Sequence, residues 1–237
     1  MLQIKNLSVK VGEKQILNQI SFDFETGKNY CILGKNGSGK SSLAMTLAGN
    51  PKYEISEGEL LLDGQNLTEM SPDERNKAGI FLTFQNIPEV PGVKLFEFLK
   101  TIYDARAEKP STFLEFKKII EPLMAELEIE KAFLWRDLNV GFSGGEKRKI
   151  EVLQIKLLKP KYIILDEIDS GLDVNAVRQV AELLKAVNTQ ENSFIVITHL
   201  FEMLQELPLE KILILEQGKI KAIGGRELME QVRKEGF

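Results

Sequence analysis

Tyr30-Cys31-Ile32-Leu33 is apolar throughout and runs straight into Gly34-Lys35-Asn36-Gly37-Ser38-Gly39-Lys40-Ser41, after which Ser41 to Ala48 reads as a helix. A strand without a polar face must be covered on both sides, as in a parallel sheet. The glycines that follow let the backbone curl until its N–H groups face one point, and the helix start adds a favourable dipole there. Every fixed position of the G-x-x-x-x-G-K-S phosphate-binding loop is filled, in the strand–loop–helix context that its chemistry needs. The plainer alternative, a Gly-rich turn capping a helix, leaves that combination unexplained. Lys40 is expected to reach the β- and γ-phosphates of a nucleotide, and the Ser41 hydroxyl to ligate Mg²⁺.

Two further continuous apolar runs, Tyr162 to Leu165 and Phe194 to Thr198, have the same doubly covered character. Helical stretches lie between the strands at Gly144 to Leu158 and at Val174 to Val187, where Val177, Val180, Ala181 and Leu184 recur at helical spacing. The core is therefore α/β, built from βαβ units. Residues 16 to 25 alternate instead, with Ile20, Phe22 and Phe24 opposite Gln19, Ser21, Asp23 and Glu25. That pattern predicts a half-buried antiparallel strand. Gly58 to Gly64 and Ile80 to Phe84 read as short strands, Met1 to Asn6 as a first strand, and Lys211 to Leu215 with Ile220 to Ile223 as a hairpin. From about 87 to 141 the sequence breaks at Ile87-Pro88-Glu89-Val90-Pro91-Gly92 and then becomes almost wholly helix-forming. Phe113, Phe116, Ile120, Leu123, Met124 and Leu127 form an apolar stripe there. The expectation is one domain over 1–237, with an α/β core at 1–86 and 142–237 and an inserted helical subdomain at about 87–141.

Asp166 closes the run Tyr162 to Leu165, so its carboxylate emerges at the C-terminal end of a parallel strand, beside the phosphate loop, where it can hold the metal site. Glu167 follows and can act as general base for a water. An apolar run ending in Asp-Glu is weak by itself, and its meaning comes from the loop. Ser143-Gly144-Gly145-Glu146 stands before a long helix and offers a hydroxyl and free N–H groups at a positive helix end, a second phosphate-binding surface. It is equally a capping box, with Glu146 three residues after Ser143, and both readings can hold together. One nucleotide cannot easily use both surfaces, so head-to-tail pairing of two chains is the economical geometry. His199 ends the strand Phe194 to Thr198, expected beside the strand that leads to Glu167, and is a candidate γ-phosphate contact. Gln85 ends the strand from Ile80 and can touch Mg²⁺ or water. Asp169-Ser170-Gly171-Leu172-Asp173 is either a helix-capping turn or a contact across the pair, through Asp173.

Taken in order, the loop at 34 to 41, Gln85, Ser143-Gly144-Gly145-Glu146, Leu165-Asp166-Glu167, Ser170-Gly171-Leu172-Asp173 and His199 resemble the motif set of the ABC ATPases over nearly the whole chain. The resemblance implies a P-loop ABC-ATPase fold with an antiparallel β subdomain and an inserted helical subdomain, working on Mg-ATP. It implies ATP contacts from Gly34, Lys35, Asn36, Gly37, Ser38, Gly39, Lys40, Ser41 and Ser42, with Lys40, Glu167 and His199 catalytic. It further implies metal contacts from Ser41, Gln85 and Asp166. Within that family, Asn139 to Arg148, Gly79 to Gln85, Pro88 to Val93 and Asp166 to Asp173 resemble the SufC group, the ATPases of Suf iron–sulfur cluster assembly. Transporter ATPases more often carry Leu-Ser-Gly-Gly-Gln, where this chain has Phe142 and Glu146, and Thr or Ala where it has Ser170. The partners implied are scaffold subunits of the SufB and SufD type, with ATP-dependent homodimerisation inside the complex. A membrane-transporter ATPase is the alternative, and a nucleic-acid-linked ABC protein a third reading. One departure concerns the base: the place where many ABC ATPases carry an adenine-stacking aromatic holds Val11. Tyr30, Tyr53 or another aromatic is then the candidate to cover the base.

The remaining composition narrows the classes. Net charge is −4, which argues against the broad basic face of a nonspecific nucleic-acid binder. No apolar run approaches the roughly 20 residues that cross a bilayer, and the start lacks a signal-peptide pattern, so a cytoplasmic location without membrane insertion is expected. Cys31 is the single cysteine, insufficient for a cluster or an internal disulfide and expected in the core.

Overall fold

A computed structural model describes residues 1–168, 174–198 and 207–236, with the backbone alone at 174–176. The expectations for Asp169, Ser170, Gly171, Leu172, Asp173 and His199 lie outside the described residues.

The chain divides into two compact units. The first comprises Met1–Thr83, Pro160–Ile168 and Asn188–Phe237, and the second Phe84–Lys159 and Asp169–Val187. In the first unit, β1 (Leu2–Val11), β2 (Lys14–Phe24), β4 (Glu54–Leu62) and β5 (Gln65–Asn66) form an antiparallel sheet in the order β2-β1-β4-β5. From Gln19 onward β2 alternates as its sequence demands, with Ile20 and Phe24 buried, Phe22 partly buried, and Gln19, Ser21 and Asp23 facing out; Gln19 itself takes a left-handed φ of 51°, which shifts the phase and puts Leu17 on the buried side. The second sheet holds β3 (Asn29–Leu33), β6 (Ile80–Leu82), β9 (Tyr162–Asp166), β10 (Ser193–Ile197), β11 (Leu209–Glu216) and β12 (Lys219–Gly224). Its order is β12-β11-β3-β10-β9-β6. Only the β11–β12 pair is antiparallel. All residues of β3, β9 and β10 are buried, as doubly covered strands must be. One apolar core joins the sheets, with Leu2, Ile4, Leu17 and Phe24 from the first packed with Tyr30, Ile32, Tyr162 and Ile195 from the second. Cys31 is wholly buried in β3.

Helix α1 (Lys40–Leu47) follows β3, and α2 (Pro72–Ala78) precedes β6. The short α2 carries a full start signal, with Ser71 and Glu74 in a reciprocal capping box and Pro72 at its first turn. Its Arg75 is buried and donates to the carbonyls of Thr46 (2.5 Å), Thr68 (2.8 Å) and Met70 (3.0 Å). One guanidinium thereby ties the end of α1 to the segment that leads into α2.

The second unit contains α3 (Leu95–Asp104), α4 (Phe113–Glu126), a 3-10 turn (Lys131–Trp135), α5 (Gly144–Leu158) and α6 (Val174–Val187). It is less purely helical than its sequence suggests. β7 (Val90–Lys94) pairs antiparallel with β8 (Asp137–Leu138). Asp137 ties the pair, accepting from the Gly92 N–H (3.0 Å) and from the Lys94 ammonium (2.7 Å) across an irregular stretch in which Gly92 takes a φ of 84°. On α4 the stripe Phe116, Ile120 and Met124 is buried. Phe113, at its first turn, is instead exposed and packs on Phe96 and Trp135. A last helix in the first unit, α7 (Arg226–Glu235), follows β12.

Candidate functional site

The phosphate loop keeps its shape through backbone constraints. Gly39 caps α1 at φ 108°, and the Leu43 N–H returns to its carbonyl at 2.8 Å. Such a φ is disfavoured for a residue with a side chain. At Gly34 a Cβ would lie 2.3 Å from the Leu215 carbonyl oxygen and 2.6 Å from Ser38 Oγ, so the loop lies directly against β11. The turn between β11 and β12 adds a tie, because the Gly218 N–H donates to the Ser38 carbonyl at 2.9 Å. Lys35, Asn36 and Gly37 remain exposed at the crest.

Lys40 is buried, and its ammonium donates to the carbonyls of Gly34 (2.8 Å) and Lys35 (3.1 Å). The side chain therefore folds back under the loop, across the concavity formed by its N–H groups. Burial lowers its pKa, opposed by the charges of Glu167 and Asp166. Next along α1, the Ser41 hydroxyl donates to Asp166 Oδ1 at 3.1 Å. Asp166 ends β9 and is 1% exposed, and its Oδ2 is buried with no hydrogen-bond partner. Burial raises its pKa above the ordinary 3.8; the Ser41 bond lowers it, the Glu167 charge raises it and the Lys40 charge lowers it. A carboxylate oxygen and an adjacent hydroxyl, in a dry position beside the loop, form an oxygen donor set suited to a hard divalent cation such as Mg²⁺. The orphaned Oδ2 is the observation that fits such an ion best.

Glu167 adopts φ 47°, a left-handed conformation uncommon for a residue with a Cβ, and its N–H donates to the Ile197 carbonyl at 2.8 Å. The chain therefore turns sharply after Asp166. β10 lies directly beside β9, with Ile197 opposite Asp166. Thr83, which sequence reasoning did not single out, is buried after β6. Its N–H donates to the Ile164 carbonyl (2.9 Å) and its hydroxyl accepts from the Asp166 N–H (3.3 Å), which fixes the strand end. A buried Thr at the end of an apolar strand was the available signal.

In the second unit, Ser143 caps α5 with both halves of the capping box in place: Ser143 Oγ accepts from the Glu146 N–H (3.3 Å) and Glu146 Oε2 from the Ser143 N–H (2.7 Å). These contacts hold the Glu146 carboxyl below its usual range. Ser143 and Gly144 are exposed. Phe142 is buried against Phe133, with the Arg136 guanidinium 4.5 Å from its ring centre. The capping box thus shapes a helix start whose Ser143 and Gly144 face solvent. Gln85 is exposed, two residues past the Thr83 contact.

On the base side, Val11 ends β1, opposite Lys14. Tyr30 cannot swing over a nucleotide: it is 1% exposed, its hydroxyl accepts from the Glu25 N–H (2.8 Å), and its ring packs edge-on to Phe22 and Phe24. Tyr53 packs partly buried against the core.

A buried strand, a glycine loop closed over a lysine, and a Ser–Asp pair beside it define a P-loop nucleotide site. Comparison with known proteins gives the family. The ABC transporter family matches residues 17–170. Over its full length the chain is 42% identical to the "Probable ATP-dependent transporter ycf16" of Antithamnion sp., spanning 96% of that protein. It is 39% identical over its full length to the "Probable ATP-dependent transporter SufC" of Escherichia coli (strain K12), spanning 97% of it. In fold it resembles a dimeric ATP-binding cassette solved with ADP and phosphate, with a TM-score of 0.79 and 22% identity over 94% of this chain and 98% of that one. The chain belongs to the ABC transporter family. It is an ATP-hydrolysing cassette similar to the SufC and ycf16 proteins. No described helix is long and apolar enough to cross a membrane.

Proposed function

We propose that this cassette drives a Suf-type iron–sulfur assembly scaffold, pairing head-to-tail with a second copy while it binds and hydrolyses ATP. The observation that carries the chemistry is the Ser41–Asp166 contact with its orphaned carboxylate oxygen. In this reading Lys40 and the N–H groups of Gly34 to Ser42 bind the phosphates. Ser41, Asp166 and Gln85 hold Mg²⁺, which when bound neutralises charge on the β- and γ-phosphates. Glu167 takes the proton of the attacking water. His199 contacts the γ-phosphate, and Asp173 contributes across the pair. Ser143, Gly144, Gly145 and Glu146 of one copy close over the nucleotide of the other, presenting N–H groups already fixed by the capping box.

The assembly role is supported by full-length similarity to a protein named SufC and by the Phe142, Glu146 and Ser170 variations within the shared motifs. Because the relatives carry transporter names, the competing reading is an ATPase serving a membrane-spanning partner, and a nucleic-acid-linked role is the third. Affinity capture of the chain from its native cytosol and membranes decides among them. Soluble SufB- and SufD-type subunits carrying iron and sulfide are the expected result. Recovery of integral membrane proteins alone, or of ribosomes, overturns the assembly role.

A further inference from the structure

Helix α5 carries two charged residues that do not reach solvent, Arg148 at 4% and Glu151 at 5% exposure. They pair at 2.6 Å, and burial works against the charged form of Glu151, raising its pKa. A buried ion pair is a poor device for stability alone, since apolar residues of the same volume usually serve as well. What the pair supplies, and an apolar pair cannot, is a set of directed hydrogen bonds, and these go to one short piece of main chain. Glu151 Oε1 accepts from the Phe84 N–H (2.9 Å). Arg148 Nη1 donates to the Phe84 carbonyl (2.7 Å), and Nη2 to the Gln85 carbonyl (3.3 Å).

Phe84 is 51% exposed, and Gln85 and Asn86 are exposed and outside regular secondary structure. Thr83, one residue earlier, is bonded to β9 in the first unit. The chain thus passes from the first unit to the second at the Thr83–Phe84 bond, and the first residue on the far side is bonded to α5. We propose that Arg148 and Glu151 are positioning residues for Gln85. They fasten the main chain at Phe84 and Gln85 to the helix that opens with Ser143-Gly144-Gly145, so that the glutamine and the exposed helix start are carried as one piece. The inference rests on the reading of Gln85 as a ligand at the Mg-ATP site.

The test uses the full chain with Arg148→Lys, Glu151→Gln, Gln85→Ala and the double variant Arg148→Lys/Gln85→Ala, each first shown to be folded. It measures kcat and KM for Mg-ATP and hydrogen exchange at the Phe84 amide. Lysine cannot reproduce the two-pronged contact of the guanidinium, and glutamine leaves that guanidinium without its counter-charge. The expected result is Phe84 exchange faster by about tenfold in both brace variants. A kcat lower by about tenfold with KM within about twofold accompanies it. The double variant is then no slower than Gln85→Ala within about twofold, because both changes disable one group. Unchanged Phe84 exchange, or effects that multiply in the double variant, overturns the proposal. Wild-type kcat in Arg148→Lys beside a slow Gln85→Ala overturns the positioning role and leaves the reading of Gln85 standing. Wild-type kcat in Gln85→Ala overturns that reading itself.

Discussion

Asp166→Asn separates what the candidate metal site costs from what it does. The wild-type carboxylate is 1% exposed, accepts one hydrogen bond from Ser41, and leaves Oδ2 buried without a partner. An unsatisfied buried polar group costs about 1–3 kcal/mol, more when charged. Asparagine keeps the shape and the Ser41 contact, removes the charge, and still buries an amide, so the relief is taken as about 1–2 kcal/mol. For a chain of this size each kcal/mol moves Tm by roughly 2–4 °C, which predicts a metal-free variant melting roughly 2–8 °C above wild type. Burial raises the folded-state pKa of Asp166 above 3.8, so the protonated carboxyl is the better folded form. The stability it contributes is present below the ordinary value and lost as pH rises through the raised one. The gap between variant and wild type should therefore be full at neutral pH and close as the solution is acidified. With Mg-ATP the order should invert, because saturation at a hundred times Kd adds about 2.7 kcal/mol to wild type and little to a variant lacking the ligand. Scanning calorimetry at pH 7 and pH 4, with and without Mg-ATP, reads all of these shifts. A metal-free variant less stable than wild type, or an undiminished Mg-ATP shift in the variant, would refute the assignment.

Lys40→Ala should abolish tight Mg-ATP binding, measured by equilibrium titration, because it removes a charge-assisted phosphate contact and releases the Gly34 and Lys35 carbonyls from their shared donor. Glu167→Gln should retain ATP binding, lose most turnover and accumulate an ATP-dependent pair in sedimentation; wild-type turnover without pairing counts against Glu167 as base. Cys31, wholly buried and with its thiol pKa pushed up by burial, should resist thiol reagents until the chain unfolds, and the purified chain should hold no stoichiometric iron or sulfide without its partners. GTP should replace ATP within about tenfold in affinity, roughly 1.4 kcal/mol, and Val11→Tyr should tighten ATP; a preference for ATP above about a hundredfold in wild type would contradict this.

What the sequence made legible is what local pattern encodes. Uninterrupted apolar runs announced β3, β9 and β10 because strands covered on both faces have no polar side to interrupt them. The phosphate loop and the capping box at Ser143 were legible because their geometry is written within a few consecutive residues. β1 was read only as far as Asn6, although it runs to Val11. Asn6 takes a left-handed φ of 48°, and the pairing with β2 slips beyond Ile4, which breaks the alternation that marks a strand. β7 and β8 escaped because Asp137 holds them together from 43 residues beyond Lys94, a separation that no local window spans. The same limit hid Arg148 and Glu151. Two opposite charges three residues apart on a helix read as a solvated surface pair, whereas here both are buried and bonded to the main chain at Phe84. Tyr30 shows the converse. Its aromatic ring made it a candidate cover for the base, yet it stands in a strand whose every residue is buried, and its hydroxyl is held by the Glu25 N–H. Residue type suggested the chemistry, and burial removed the possibility. With Tyr30 fixed in the core and Val11 at the end of β1, the expectation is that the phosphate contacts supply the larger share of nucleotide affinity, and the comparison of ATP with GTP tests that division.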